Sequence, residues 1–279
     1  MQTVETLDQL RAARPSLPGP LGFVPTMGFL HEGHLSLVDI ARQRSQSVAA
    51  SIFVNPSQFG PGEDLDAYPR DIPRDLELLA SRGVDLVWMP TPEIMYPQGY
   101  QTWIDLETIT QPLEGAKRPG HFRGVATVVA KLFNAVQPDL AVFGQKDAQQ
   151  LAVIQQMVRD LNIPVEILAG PIVREPDGLA MSSRNSYLDP DQRQAATVLY
   201  RALTAASSAY QAGERSASAI CALMEATIQS EPLARLEYVS CADALSLQEL
   251  ETIEGQALLS MAVFVGQTRL IDNLLLGKE

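Results

Sequence analysis

The stretch Val24-Pro25-Thr26-Met27-Gly28-Phe29-Leu30-His31-Glu32-Gly33-His34 decides how the chain is read. It starts where the apolar run Leu21 to Val24 meets a proline, and a helical pattern (Leu35, Val38 and Arg42, with Leu37 and Ala41) begins just after His34. Pro25 lacks the N–H that a strand ladder needs and is expected to end the strand, while Gly28 lets the loop turn without a Cβ clash. Two histidines three residues apart then stand at a helix entrance. There, unpaired backbone N–H groups and the positive end of the helix dipole favour an anion, and the i, i+3 spacing points both imidazoles the same way. Gly33 leaves room for a nucleotide against the backbone. Outside such a context a histidine is ordinarily structural, and His-Glu-Gly-His is one residue short of the zinc-protease pattern, whose ligands fall at i and i+4.

On either side of this stretch, strand and helix patterns alternate to about residue 173. Val48 to Val54 reads as a strand, Ile72, Leu76, Leu79 and Ala80 as a helical stripe closed by Gly83, and Leu86 to Met89 as a second short strand. Ile104 to Leu106 is read as a further strand. Val125, Val128, Val129, Leu132 and Val136 share a helix face that Pro138 ends, Leu140 to Phe143 is a buried strand, Leu151, Ile154, Val158 and Leu161 a helical stripe, and Val165 to Leu168 a strand. Such alternation implies an α/β fold with a doubly wound parallel sheet, whose ligands bind beyond the carboxyl ends of the strands. The texture then changes: Asp191 to Ala212 and Ser216 to Gln229 read as helices, Leu236 to Ser240 and Leu258 to Val265 as strands. The expected division is a Rossmann-like domain over 1–173 and a smaller α+β domain over 174–279, with Pro15 to Pro20 as a loop.

Composition narrows the function. At 279 residues, 46% hydrophobic and 19% charged, the chain can bury a substantial core. A formal net charge of −12, with 33 acidic against 21 basic residues, argues against a nucleic-acid surface, which needs clustered Lys and Arg. An anionic substrate therefore needs a locally basic pocket. Cys221 and Cys241 are too few for a disulfide framework, and Met-Gln-Thr-Val-Glu has neither the basic start nor the apolar core of a signal peptide, so a cytoplasmic protein is expected. No run approaches the ~18 apolar residues of a membrane span.

Three further stretches fall at junctions where this fold carries functional loops. Asn55-Pro56-Ser57-Gln58-Phe59-Gly60 offers carboxamides suited to a ligand with hydroxyls and a carboxylate, although the same residues build ordinary turns. Gly144-Gln145-Lys146-Asp147-Ala148-Gln149-Gln150 brings a cation, a carboxylate and an amide to a strand-to-helix junction that suits phosphate. Met181-Ser182-Ser183-Arg184-Asn185 supplies hydroxyls and a guanidinium, a set equally suited to capping a helix. Lys117, Arg118, His121 and Arg123 form a basic cluster that would draw anionic substrates or be a solvated loop.

Taken together, these motifs resemble the pantothenate synthetase (pantoate–β-alanine ligase) family of the coenzyme A pathway. The resemblance rests on Pro-Thr-Met-Gly and His-x-Gly-His at 25–34, Val-Asn-Pro-Ser-Gln-Phe at 54–59, Asp66-Ala67-Tyr68-Pro69-Arg70-Asp71, His121-Phe122-Arg123-Gly124-Val125, Gly144 to Gln150 and Arg174 to Asn185. Arg269-Leu270-Ile271-Asp272-Asn273 also resembles the family's C-terminal end. The resemblance implies a HIGH-type nucleotidyltransferase core and a two-step, AMP-forming ligation. Pantoate's carboxylate attacks the α-phosphate of ATP to give pantoyl adenylate and pyrophosphate, and the β-alanine amine then displaces AMP.

Carried over by position, the family's site gives ATP the residues Pro25, Thr26, Met27, Gly28, Phe29, Leu30, His31, Glu32, Gly33 and His34, then Gly144, Gln145, Lys146 and Asp147, the backbone at Val173, and Met181, Ser182, Ser183 and Arg184. Asn55, Gln58 and Gln150 are given to pantoate and β-alanine. His34, His31 and Lys146 are the implied catalytic groups, with His34 the proton donor. Adenylyl transfer builds charge on the α-phosphate and pyrophosphate, so donors from these three and a bound Mg²⁺ would stabilise the transition state beyond the ground state. The metal ligands are not legible, with Asp75 a conceivable contact. The family further implies a homodimer and a second domain closing over the active site. Two readings compete: a nucleotidyltransferase acting on a phosphorylated small molecule, and a non-catalytic nucleotide-binding module.

Overall fold

A computed structural model describes residues 1–277, so the last two residues of the expected 174–279 domain lie outside it. Within that range the chain forms two compact units, one of residues 1–145 with 150–171, the other of residues 146–149 with those from Ile172 onward.

In the first unit, chain order runs β1 (Gln2–Val4), α1 (Leu7–Ala13), β2 (Leu21–Thr26), α2 (Glu32–Arg44), β3 (Ser47–Ile52), α3 (Ile72–Ser81), β4 (Leu86–Trp88), short α4 (Pro92–Met95) and α5 (Glu114–Lys117), α6 (His121–Val136), β5 (Leu140–Gly144), α7 (Ala148–Asp160, all but its first two residues) and β6 (Glu166–Gly170). The strands make one sheet in the order β1-β4-β3-β2-β5-β6, with every pairing parallel. Val24, Val48, Ala50, Val87 and Val142 pack on one side with Val38 and Ala41 of α2 and Leu79 of α3. Phe133 of α6 meets Phe23 and Phe143 edge-on, so α6 covers the other side. Two covered faces explain why the strands read as apolar runs rather than as alternation.

The order reverses between β2 and β5, which makes the crevice between them the topological switch point where such sheets take ligands. β2 stays in register with β3 from Leu21 to Thr26, but with β5 only at Gly22 and Phe23. Pro25 is the physical reason. Leu21 O accepts from Asp139 N on the β5 side, and Thr26 O accepts from Phe53 N on the β3 side. By the alternation of a strand, Pro25 faces β5 and has no N–H to offer there. The proline does not end the strand, as its sequence suggests; it ends pairing on one side and lets β2 and β5 part toward their carboxyl ends.

Other expectations are revised. Ile104 to Leu106 is not a strand, since the backbone there lies outside any ladder. The first strand is β1, three residues paired with β4 at the sheet edge, too short to show a pattern. The second unit carries α8 (Pro190–Ala195), α9 (Val198–Gln211) and α10 (Ala217–Gln229), followed by β7 (Ala234–Asp243), β8 (Ala257–Val265) and β9 (Thr268–Leu276) in an antiparallel sheet ordered β7-β8-β9. The single helix expected over 191–212 is broken at Ala196 and Thr197, where Thr197 Oγ1 bonds Gln194 O and competes with the helical ladder. Leu199, Ala202 and Leu203 of α9, Ile220 and Met224 of α10, and Leu259, Met261 and Val263 of β8 make this unit's core. Among the described residues no helix is long and apolar enough to cross a membrane.

Candidate active site

The loop leaving β2 is held from beneath by one carboxylate. Asp75 of α3, fully buried, accepts from Phe29 N through Oδ2 and from Leu30 N through Oδ1, both at 2.7 Å. Arg74 adds a bond from Nη1 to Leu30 O at 2.9 Å. These bonds hold Gly28 and Phe29 at φ of 84° and 51°, a left-handed turn that is costly for phenylalanine. Thr26 Oγ1 donates to Ser51 O and accepts from Gly28 N, tying the turn to β3. Burial raises the Asp75 carboxyl above its ordinary value, against the pull of the two amides. With both oxygens engaged by backbone N–H groups, Asp75 does not suit a Mg²⁺ contact. No group of three or more His, Cys, Asp and Glu placed to hold a metal occurs among the described residues.

The two histidines cap α2 reciprocally. His31 is the N-cap residue, so the helix begins at Glu32, earlier than the apolar pattern indicates. His31 Nδ1 accepts from Gly33 N at 3.1 Å, His34 Nδ1 accepts from His31 N at 3.4 Å, and the ring centroids are 4.1 Å apart. A neutral imidazole that accepts at Nδ1 carries its proton on Nε2. Both rings are thus set as Nε2–H donors at a helix N-terminus, beside the β2–β5 switch point. Glu32 turns away to pair with Arg82 at 2.7 Å, and the Leu30 side chain belongs to the core.

Asn55 organises the second loop, a 3-10 turn over Pro56–Gln58. Its Oδ1 accepts from Ser57 N, Ser57 Oγ and Tyr96 OH, and its Nδ2 donates to Gln58 Oε1 at 3.1 Å and Gly124 O at 3.3 Å. Both amide hydrogens of Asn55 are therefore engaged inside the protein, and the residue is buried. Because Gln58 Oε1 is an acceptor here, its Nε2 is the presented donor, now on Met27 Sδ at 3.2 Å. Sulfur is a weak acceptor that a substrate oxygen readily replaces.

Arg118 and His121 hold the Gln58 backbone. Arg118 forks onto Glu63 at 2.8 and 2.6 Å, and its Nη1 lies 3.1 Å from His121 Nε2. Arginine can only donate, so Nε2 accepts and Nδ1–H donates to Gln58 O at 2.8 Å. Burial, then the Arg118 charge, pushes His121 down to about 4. Burial lifts the Glu63 carboxyl, but the Arg118 bond and charge outweigh it and hold the group below its ordinary value. Arg123 pairs with Asp105 and lies over Trp103. The expected basic cluster is thus corrected: Arg118 and Arg123 are paired with acids and His121 is neutral, which leaves Lys117 outside these pairs.

In the second unit, Lys146 lies in a 3-10 turn over Gln145–Asp147, its Nζ 3.9 Å from Asp147 Oδ1. Gln150, which belongs to the first unit, stands in the first turn of α7. Val173 O accepts from Met181 N across a hairpin closed by an Arg174–Ala180 bridge. Ser182 caps the following 3-10 turn through Arg184 N, with Ser183 buried. Residue type gave no role to Tyr96, and gave Arg118 and His121 only a place in the basic cluster, because each acts on a residue distant in sequence.

The model of the family described as pantoate-beta-alanine ligase matches residues 1–275. The pantothenate synthetase of Herpetosiphon aurantiacus is 61% identical over 277 residues, spanning 99% of this chain and 100% of that protein. The Roseiflexus sp. pantothenate synthetase is 60% identical, covering 99% of each. Among solved structures, pantothenate synthetase from Thermus thermophilus is 49% identical with a TM-score of 0.94, over 98% of this chain and 99% of that one. The Francisella tularensis pantoate-beta-alanine ligase, complexed with beta-gamma ATP and beta-alanine, is 35% identical with a TM-score of 0.82, over 99% and 97%. With its parallel sheet, histidine-capped helix and glutamine loop, and with this similarity over nearly its whole length, the chain belongs to the pantoate–β-alanine ligase family.

Proposed function

We propose that this ligase makes pantothenate in two steps, with His31 and His34 as the donors that stabilise the first. The carrying observation is their reciprocal cap: both Nδ1 atoms accept from backbone N–H groups, which fixes both ring protons on Nε2. In the first step the pantoate carboxylate attacks the α-phosphate of ATP, and pyrophosphate leaves. Negative charge then grows on oxygens facing the helix N-terminus, where fixed donors need no reorganisation. In the second step the amine of β-alanine attacks the activated acyl carbon, and AMP leaves.

Gln58 Nε2–H donates to substrate oxygens, assisted by Gln150, and Asn55 serves by fixing which end of the Gln58 amide is presented. Met27 to His34, with Leu30 and Glu32 offering backbone only, and Gly144 to Asp147, the Val173 backbone and Met181 to Arg184 are assigned to ATP, with Lys146 neutralising phosphate charge. Mg²⁺ is assigned to the phosphates of ATP itself, in keeping with that ion's retention of water and phosphate ligands. The functional boundary is placed near residue 173. A homodimer and a cytoplasmic location belong to the same proposal, and sedimentation at twice the chain mass would verify the dimer.

The test is pantoate-dependent exchange of pyrophosphate into ATP. His34→Ala should lower exchange about a hundredfold or more, since one such donor is worth roughly 3 kcal/mol. His34→Asn keeps an acceptor near the Nδ1 position but has no Nε2–H, so it should preserve the helix cap and still lose exchange. Exchange within twofold of wild type in both variants would remove His34 from the mechanism.

A further inference from the structure

Strand β9 carries two adjacent buried polar residues, Asp272 and Asn273, at 2% and 3% exposure, in a run otherwise of leucine and isoleucine. Adjacent residues of a strand point to opposite faces, so this pair reaches two separate partners.

Asp272 takes the fork of Arg174, with Nη1 to Oδ2 at 2.6 Å and Nη2 to Oδ1 at 2.9 Å. The same guanidinium donates to Gly178 O at 3.0 Å and lies 4.6 Å over the Tyr200 ring. Arg174 opens the hairpin in which Glu175 N bonds Leu179 O and Met181 N bonds Val173 O. Asp272 therefore fixes the hairpin from which Met181 to Arg184 emerges. Asn273 Nδ2 donates to Lys146 O at 2.8 Å, across 127 positions of sequence, and Asn273 N donates to Asp272 Oδ1 at 2.8 Å. All of these residues lie in the second unit. A buried ion pair adds little net stability over apolar packing of the same volume, so its worth lies in the geometry that it specifies.

We propose that Asp272 and Asn273 are positioning residues for ATP: one point on β9 fixes the Lys146 turn and the Arg174 hairpin in a single frame, so that Lys146 and Ser182 to Arg184 meet the triphosphate together. This rests on the assignment of Lys146 and Met181 to Arg184 to ATP made above. Neither residue touches the nucleotide in this scheme; each acts through a backbone or side chain that does.

The full-length enzyme is assayed by pantoate-dependent pyrophosphate exchange, varying ATP and pantoate separately. Asn273→Ala should raise the KM for ATP roughly tenfold, as expected for one lost positioning hydrogen bond, while the KM for pantoate stays within twofold. A merely structural role would reduce the active fraction, lowering kcat and leaving both KM values in place. Arg269→Gln, on the same strand, breaks the pair that Arg269 makes with Glu237 of β7 and should leave both KM values unchanged. If Asn273→Ala does not fold, Asn273→Ser, too short to reach Lys146 O, gives the same readout. An unchanged KM for ATP in the Asn273 variant, beside a raised one in Lys146→Ala, overturns the proposal and leaves the Lys146 assignment standing. If Lys146→Ala itself leaves ATP kinetics unchanged, that assignment falls and the positioning role falls with it.

Discussion

Lowering the pH should loosen the Gln58 loop through one residue, His121. Its imidazole goes from an ordinary value of 6.5 to about 4 in the fold, with burial the main cause and the Arg118 charge the second. Above 6.5 the ring is neutral in both folded and unfolded chains and contributes no slope. As pH falls below 6.5 the unfolded chain takes up a proton that the native state refuses, so native stability declines until pH reaches about 4, where the folded ring also titrates. The gap of about 2.5 pH units, at ~1.36 kcal/mol each, gives a loss of about 3 kcal/mol over the whole window, and about 2 kcal/mol of it is gone by pH 5. Urea titrations at pH 7.5 and pH 5 measure this on wild type and on His121→Asn, whose amide can still donate to Gln58 O but does not titrate. The wild type should lose about 2 kcal/mol more than the variant between the two values. Other titrating groups are common to both proteins and cancel in the difference. Equal losses in the two proteins would show that His121 is not held neutral, and the tautomer assigned from the Arg118 contact would be wrong with it.

Two further substitutions probe the same supports. A Cβ at Gly124 would stand 2.3 Å from Ser57 O and 2.8 Å from Gln58 Cα, so Gly124→Ala must displace the glutamine turn. The expected result is a destabilisation of about 1–3 kcal/mol and a raised KM for pantoate by initial rates, and an unchanged KM would mean that the turn does not set substrate affinity. Asp75→Asn puts an amide hydrogen against one of the two N–H groups that Asp75 now accepts; the unfolding free energy should fall by about 2 kcal/mol and pyrophosphate exchange should weaken. Full exchange in that variant would show that the Phe29–Leu30 turn does not need its carboxylate anchor.

How much of this was legible in the sequence follows from the distance over which each feature is determined. The parallel sheet reads from runs such as Leu140 to Phe143 because both faces are covered, and the helix entrance at His31 reads from local spacing alone. Pro25 misleads because a proline's effect on a ladder depends on which neighbour its missing N–H would face, and strand order supplies that. β9 escapes because Asp272 and Asn273 interrupt its apolar pattern. The basic cluster dissolves because Arg118 is answered by Glu63 and Arg123 by Asp105, partners that composition counts but cannot pair.

Residues assigned to meet substrate are thus recognisable by type, whereas those that hold them are defined by a partner far along the chain. Asp75 holds Leu30 from 45 positions away, Gly124 O and Asn55 are 69 apart, and Asn273 reaches Lys146 over 127. A holder needs only one hydrogen bond of the right length, which leaves no local signature, yet it decides which atom of its client faces the ligand. Gln58 shows the consequence most directly: the amide presents its Nε2–H because Asn55 Nδ2 occupies its oxygen, and Asn55 can do so because Tyr96 and Ser57 occupy its own. In the proposed reading, the polarity of the Gln58 contact with substrate is therefore set two residues back from it, in side chains whose identity alone would have assigned them to a turn and a loop.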